Sequence, residues 1–383
     1  MRDYFLLDPS VAFLNHGSFG ATPRPVFAAY QFIQAEMERQ PVEFLGRLSD
    51  KRLRASREVL GAFLNAGADN LVYVMNATWG VNVVAHSLEL VPGDEILTTD
   101  HEYGACVNAW KLACSRTGAQ WVEAQIPLPL PDPAAIVDLI WSKVTPRTKV
   151  LYLSHITSPT AVTFPVEELC KRARAAGILS VIDGAHAPGQ LPVDLTALGA
   201  DIYTGNLHKW LCAPKGAAFL YARPEHHGKL HALVTSWGYS GFSTLLDMQN
   251  DSLLALRHQW QGTRDIAAFL AVPAAIDFQR EHDWPAHRQR CHLLAADAQR
   301  RVSDLTGIPI AVPEHNFTQM ALCELPPSTD LAVLKTRLYD EFRVEIPVID
   351  WLGRKFVRVS IQAYNTVEDV DRLVQGLKAI LGL

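Results

Sequence analysis

Three absences bound this chain before any motif is read. No uninterrupted apolar stretch approaches the ~20 residues that a membrane span needs, so no spanning helix is expected. Basic charge is not in excess: 35 Lys and Arg against 40 Asp and Glu leave a formal net charge of −5. That balance argues against a chain built to neutralise nucleic-acid phosphates, and no nucleic-acid or membrane partner is expected. Cysteine is sparse, six in 383 residues, at Cys106, Cys114, Cys170, Cys212, Cys291 and Cys323 with no Cys-x-x-Cys pair. Scattered thiols in a chain of this size read as reduced, which implies a cytoplasmic location. The opening Met1-Arg2-Asp3-Tyr4-Phe5-Leu6-Leu7-Asp8-Pro9 meets acids and proline too early for a secretory leader.

What is present is a compact globular composition, with 49% hydrophobic and 20% charged residues, too apolar for a disordered chain. Through the first two-thirds, short apolar runs alternate with helical patterns. Strands are expected at 71–75, 95–99, 120–125, 150–155, 178–183, 201–204 and 217–221. Helices are expected at 81–90, 103–117, 133–144 and 166–176, after two earlier ones over 22–40 and 45–65. This alternation predicts an α/β fold, a large unit with a mostly parallel seven-stranded sheet. The pattern turns helical over 251–280, and the remainder reads as a smaller α+β C-terminal unit with strands at 344–349 and 356–361. The expected division is a large domain over 20–260 and a small domain made of 1–19 and 261–383, the first segment forming an N-terminal arm.

Ligands in open α/β sheets gather at the carboxyl ends of the strands. One such end delivers Asp183 into the turn Gly184-Ala185-His186, where a helix-capping acid is the plainer alternative. Another ends in Asn206-Leu207-His208-Lys209-Trp210. A lone lysine is ordinarily a solvated surface residue, but this one leaves an apolar strand among His, Trp, Leu and Cys. Desolvation lowers a lysine's pKa and suits it to act as nucleophile or base. An acid and a lysine at neighbouring strand ends are what pyridoxal phosphate chemistry requires, one on the pyridine nitrogen and one in a Schiff base. Asn76-Ala77-Thr78-Trp79-Gly80, between a strand and a helix, can receive a phosphate, or can be an ordinary helix cap.

These pieces belong to an ordered set. It comprises Phe13-Leu14-Asn15-His16-Gly17-Ser18-Phe19-Gly20, Asn76-Ala77-Thr78, Asp100-His101-Glu102-Tyr103 and Asp183-Gly184-Ala185-His186. Asn206-Leu207-His208-Lys209, Gln261-Gly262-Thr263-Arg264, and Val357-Arg358-Val359-Ser360 with Tyr364-Asn365-Thr366 complete it. In this order the set resembles the class V aminotransferase family of fold-type-I pyridoxal phosphate enzymes, and within it the isopenicillin N epimerase-like proteins. The resemblance runs nearly end to end. It implies Lys209 as the Schiff-base lysine, Asp183 on the pyridine nitrogen and His186 on the phenolic oxygen. It further implies Ala77, Thr78, Asn206 and His208 on the phosphate, and Gly262 and Thr263 reaching the phosphate of a neighbouring subunit, hence a homodimer with shared sites. Arg358 matches the arginine that clamps the substrate α-carboxylate, with Asn15 and His16 as further substrate-binding candidates.

The chain departs from the family's desulfurase branch in three places. The histidine that stacks on the cofactor ring there falls at Tyr103, or at His101 if the alignment slips by two. The asparagine over the cofactor falls near Ser158. The loop 344–354, where a desulfurase keeps its thiol, contains no cysteine, which disfavours a persulfide mechanism. The implied reaction is removal of the Cα proton of an amino acid by Lys209, with Tyr103 or His101 as second acid. Reprotonation on the opposite face makes an epimerase; expulsion of a β-sulfur substituent makes a C–S lyase acting on an S-substituted cysteine; transamination ranks below both. A non-catalytic sensor is disfavoured because no helix-turn-helix-sized extension is seen. Trp237, Tyr239, Phe242 and Trp351 are candidate pocket aromatics, and the basic run 51–57 reads as a solvated helix face, from which Arg57, or Arg47 nearby, can alternatively reach an acidic substrate tail. His227 and His231 lack the glutamate of a zincin, so no metal site is expected.

Overall fold

The computed structural model describes residues 1–240 and 251–383. Among them the strands, in chain order, are β1 (Ala12–Phe13), β2 (Leu71–Val74), β3 (Glu95–Thr99), β4 (Gln120–Ala124), β5 (Thr148–Ser154) and β6 (Leu179–Asp183). They continue with β7 (Ile202–Asn206), β8 (Ala218–Ala222), β9 (Met320–Leu325), β10 (Val344–Glu345), β11 (Val348–Trp351) and β12 (Arg354–Ser360). Strands β2 to β8 form one seven-stranded sheet in the order β2-β8-β7-β6-β5-β3-β4. Only β8 runs against its neighbours, so the sheet is mostly parallel, as expected.

The central strands are buried over nearly all of their length, because helices cover both faces and leave no polar side. Side-chain parity then sorts residues between two apolar layers. Val150 and Tyr152 of β5, with Val181 of β6, join the layer that contains Val84, Cys106 and Trp110. Leu151, Leu153 and Ile182 point the other way. Exposed positions occur at Gln120 of the edge strand β4 and at Lys149 near the start of β5.

Two boundaries differ from the sequence reading, and both bear on the site. The helix expected at 81–90 spans Ala77–Ser87, because the Asn76 side chain accepts the Trp79 N–H at 2.8 Å and caps it four residues early. Ala77 and Thr78 therefore lie in the first helical turn. The single strand expected at 344–349 is two strands. Pro347 lacks an N–H and breaks the ladder, so β10 pairs in parallel with β1 while β11 pairs with β12. β12 also pairs with β9, making a three-stranded antiparallel sheet in a smaller C-terminal unit. The 23-residue helix Trp284–Thr306 of that unit was not anticipated from its weak pattern. The N-terminal arm runs into this unit, where Leu14 donates to Glu345 O and accepts from Ser360 N–H.

Gly80 allows the helix Ala77–Ser87 to press on β7: a Cβ there would sit 2.2 Å from Thr204 Oγ1. Thr204 is buried mid-strand with its hydroxyl donating to Phe219 O, and cannot yield. Overpacking therefore outweighs alanine's gain in helix propensity, about 1 kcal/mol. Gly80→Ala is expected to lower unfolding free energy by roughly 2 kcal/mol in a denaturant titration. Gly104→Ala, in the first turn of the helix Gly104–Thr117 with nothing within 4 Å of the added Cβ, is expected to be neutral or stabilising.

Candidate active site

The carboxyl ends of β5, β6 and β7, the start of the helix Ala77–Ser87 and the start of the helix Gly104–Thr117 converge on one cavity of about 480 Å³. Ala77, Thr78, Tyr103, Ser158, Asp183, His186, Asn206, His208 and Lys209 all line it. A cleft of about 600 Å³ lies at the opposite, amino ends of β5, β6 and β7, between Lys149, Arg174, Asp201 and Arg223. Its charged groups pair with one another, His226 with Asp201 at 3.5 Å and Arg223 with Glu225 at 2.8 Å.

Asp183, 2% exposed, ends β6. Its Oδ1 accepts the Ala185 N–H at 2.9 Å, and its Oδ2 accepts from Tyr152 Oη at 3.3 Å and Cys106 Sγ at 3.5 Å. Burial raises its pKa from the ordinary carboxylate value, opposed by the Ala185 N–H and by the Lys209 charge. Lys209 sits on the cavity wall with Nζ 3.2 Å from His186 Nε2. Burial, then the like charge of Arg358, lowers the lysine's pKa to about 8, against the pull of Asp183. Trp210 Nε1–H donates to His186 Nδ1 at 3.2 Å. The neutral imidazole, kept so by burial and the nearby cations, therefore carries its proton on Nε2 and presents it to the lysine amine.

Asn206 Oδ1 accepts the Ala77 N–H at 2.8 Å, which ties the end of β7 to the helix start and leaves the amide NH₂ free to donate. The Thr78 N–H and hydroxyl donate to no protein group among the described residues, so a helix N-terminus opens on the cavity with two spare donors. His208 Nδ1 donates to Ala217 O at 3.0 Å, and burial lowers its pKa to about 4. Its free Nε2 is thus an acceptor, and contact with an anion requires protonation that the anion itself favours.

Arg358 is 4% exposed, its pKa lowered to about 10 by burial. Its Nη1 donates to Ser158 O and, at 3.3 Å, to Ser158 Oγ. Nε has no partner, and no carboxylate among the described residues pairs with this guanidinium. A buried, unneutralised cation behind the cavity wall is suited to an incoming carboxylate.

Other expectations place differently. Tyr103 is 45% exposed and faces the cavity without a hydrogen-bond partner among the described residues, whereas His101 is fully buried behind it. Both His101 nitrogens are taken, Nδ1 by Thr160 Oγ1 at 2.7 Å and Nε2 by Ile126 O at 2.8 Å. Its ring packs on Trp351, which is tied to Asp100 O and does not line the cavity. Asn15 and His16 do not line the cavity either. Asn15 bonds Glu345 and Ser18, while His16 takes Tyr364 Oη at 2.9 Å and donates to Lys209 O at 3.0 Å. His16 thus holds the backbone of the lysine from behind, and Ser18 and Phe19 of the same arm face the cavity instead. Neither Gly262 nor Thr263 lines the cavity of its own chain. Trp237 and Tyr239 are exposed away from it, and Phe242 lies outside the described residues. Arg57 is not solvated but fully buried, with Nη2 donating to Asp251 at 2.9 Å. Ser154, Met75 and Ile156 line the cavity and were not anticipated, since nothing in a short apolar strand marks which residue ends it.

The family model for class-V aminotransferases matches residues 21–373. The chain belongs to the class-V aminotransferase family. It is 38% identical, over 99% of its length and 97% of the relative's, to an isopenicillin N epimerase of Amycolatopsis lactamdurans. It is 30% identical, over 98% of its length and 84% of the relative's, to a probable chloroplastic L-cysteine desulfhydrase of Arabidopsis thaliana. Its fold matches the cysteine desulfurase CsdA of Escherichia coli with a TM-score of 0.80 at 23% identity, covering 100% of this chain and 97% of that one. Pyridoxal phosphate, the cofactor of the family, fits what the cavity offers. A buried carboxylate that forms no ion pair among the described residues suits a protonated ring nitrogen, and the spare donors of Thr78 suit a phosphate.

With its pKa near 8, the Lys209 amine is neutral above that pH, while an ordinary lysine stays charged to about 10.4. Competitive acylation of the cofactor-free protein, read by mass spectrometry, is expected to show Lys209 gaining reactivity with a midpoint near pH 8. Arg358→Met, which removes a like charge, is expected to move that midpoint upward.

Proposed function

We propose that this protein is an amino-acid epimerase of the isopenicillin N epimerase kind. The observation that carries the reading is one cavity that holds both a lysine with a lowered pKa and a free tyrosine hydroxyl, in front of an unneutralised buried arginine. Near-full-length similarity to isopenicillin N epimerase supports it. When bound, pyridoxal phosphate supplies a ring that takes up the electron pair left at Cα as its proton departs. Arg358 binds the substrate carboxylate through two N–H donors and fixes which bond at Cα faces Lys209. Lys209 Nζ removes that proton, its neutral form being accessible near pH 8. Tyr103 Oη returns a proton, and Asp183 would hold the proton on the ring nitrogen. His186 Nε2–H and Ser158 would serve the phenolic oxygen, while Thr78, Ala77, Asn206 and His208 would hold the phosphate.

We also read the chain as a large unit over 20–260 and a small unit of 1–19 with 261–383, supported by the pairing of β1 with β10. Gly262 and Thr263, turned away from their own cavity, are assigned to the site of a second copy in a homodimer. Six buried free thiols support a reducing, cytoplasmic setting. The same burial argues against desulfurase chemistry: Cys323, for example, is pushed up to about 12 by burial and offers no thiolate. C–S elimination is the second reading, favoured by the similarity to an L-cysteine desulfhydrase.

Incubation in D₂O with a panel of L- and D-amino acids and S-substituted cysteines separates the two. The expected outcome is deuterium at Cα with loss of chirality and no pyruvate. Pyruvate and ammonia released as fast as deuterium enters would replace the epimerase with the lyase. Lys209→Ala is expected to abolish both the exchange and the Schiff-base absorbance. Arg358→Gln is expected to raise KM roughly a hundredfold with the absorbance intact.

A further inference from the structure

Asp183 is backed by two side chains to which neither the family resemblance nor the mechanism above gives a role. Strand parity puts them there. In the β5–β6 register Ser154 lies opposite Asp183 and Tyr152 opposite Val181, so Tyr152, Val181 and Asp183 share the sheet face covered by the helix Gly104–Thr117. The Tyr152 phenol leans along the strand to Asp183 Oδ2 at 3.3 Å. Cys106, in the first turn of that helix, aims its thiol at the same oxygen at 3.5 Å. Both residues are fully buried.

Three donors thus serve one carboxylate, the Ala185 N–H on Oδ1 and the phenol and thiol on Oδ2, and all three are neutral. No cation among the described residues forms an ion pair with Asp183. Neutral donors stabilise a buried carboxylate without cancelling its charge, which stays available to a cationic partner. Burial, with Asp183 and Glu102 close by, pushes both the thiol and the phenol well up, so each stays protonated and continues to donate. Glu102, also near, is raised to about 8, chiefly by burial, and adds little negative charge at neutral pH.

We propose that Tyr152 and Cys106 are positioning residues, a buried donor pair that keeps Asp183 ionised and oriented so that the proton it shares with the cofactor remains on the pyridine nitrogen. The proposal rests on the assignment of Asp183 to that nitrogen. Loss of the donors favours transfer of the shared proton to the carboxyl group and weakens the ring as an electron acceptor, slowing every reaction that begins at Cα.

The test uses holoenzyme carrying pyridoxal phosphate labelled with ¹⁵N in the ring. The wild-type nitrogen is expected at the protonated position, with Asp183→Asn moving it to the unprotonated one. Tyr152→Phe with Cys106→Ala is expected to move it part of the way and to slow Cα–deuterium exchange roughly tenfold for each donor lost, with KM unchanged. Tyr152→Phe with Cys106→Ser, which restores one donor, is expected to lie closer to wild type. If the double variant does not fold, Tyr152→Phe alone, read in the same way, decides. An unchanged resonance and exchange rate in a variant that melts like wild type would make the pair mere packing and overturn the proposal. A wild-type nitrogen without its proton, or one that Asp183→Asn leaves unmoved, would instead overturn the Asp183 assignment on which the proposal rests.

Discussion

A carboxylate held in the protein interior with no ion-pair partner among the described residues is the constraint around which this structure is arranged. Taking Asp183 out of water is costly, and the protein offsets the cost with a backbone N–H, a phenol and a thiol rather than with a salt bridge. The charge is left for a ligand. Arg358 repeats the same logic with opposite sign, buried, hydrogen-bonded only to Ser158 and free of any acid among the described residues. Between them stands Lys209, whose ammonium form is disfavoured by burial and by Arg358. Asp183 and Arg358 each lack a charged partner among the described residues, and Lys209 is an amine with a lowered pKa, a set suited to a cationic ring nitrogen, an anionic carboxylate and an aldehyde carbon.

The fold makes this possible because parallel strands place their carboxyl ends side by side. Asp183, Asn206 and Ser154 arrive from adjacent strands, and the turn after β7 swings Lys209 back across them. The small unit contributes from the other side. β12 carries Arg358, and the N-terminal arm, paired through β1 with β10, brings His16 to the carbonyl of Lys209. The lysine is therefore held at its backbone carbonyl by His16 while its side chain lines the cavity.

Much of this was legible in the sequence. The seven sheet strands follow from apolar runs bounded by turns, and their limits agree within about two residues. Asp183 and Lys209 stood out because polar residues at the end of an apolar strand are costly unless used. Facing was not legible. Tyr103 and His101 lie two residues apart in one motif, yet one opens on the cavity and the other is bound on both nitrogens behind it. Asn15 and His16 looked like substrate contacts, but they bond to Glu345, Tyr364 and the Lys209 carbonyl. Arg57 looked like one of a solvated basic run, but the helix turns it inward to Asp251.

The sequence by itself determined the fold class, the family and the acid–lysine pair, because hydrophobic period and motif order are read along the chain. Only the tertiary structure decided which members of each motif meet in the cavity, and it alone disclosed the backing of Asp183 by Tyr152 and Cys106. The physical reason is that a side chain's direction depends on strand register and on the helix packed against it. Those are relations between segments far apart in the chain, and no local pattern encodes them.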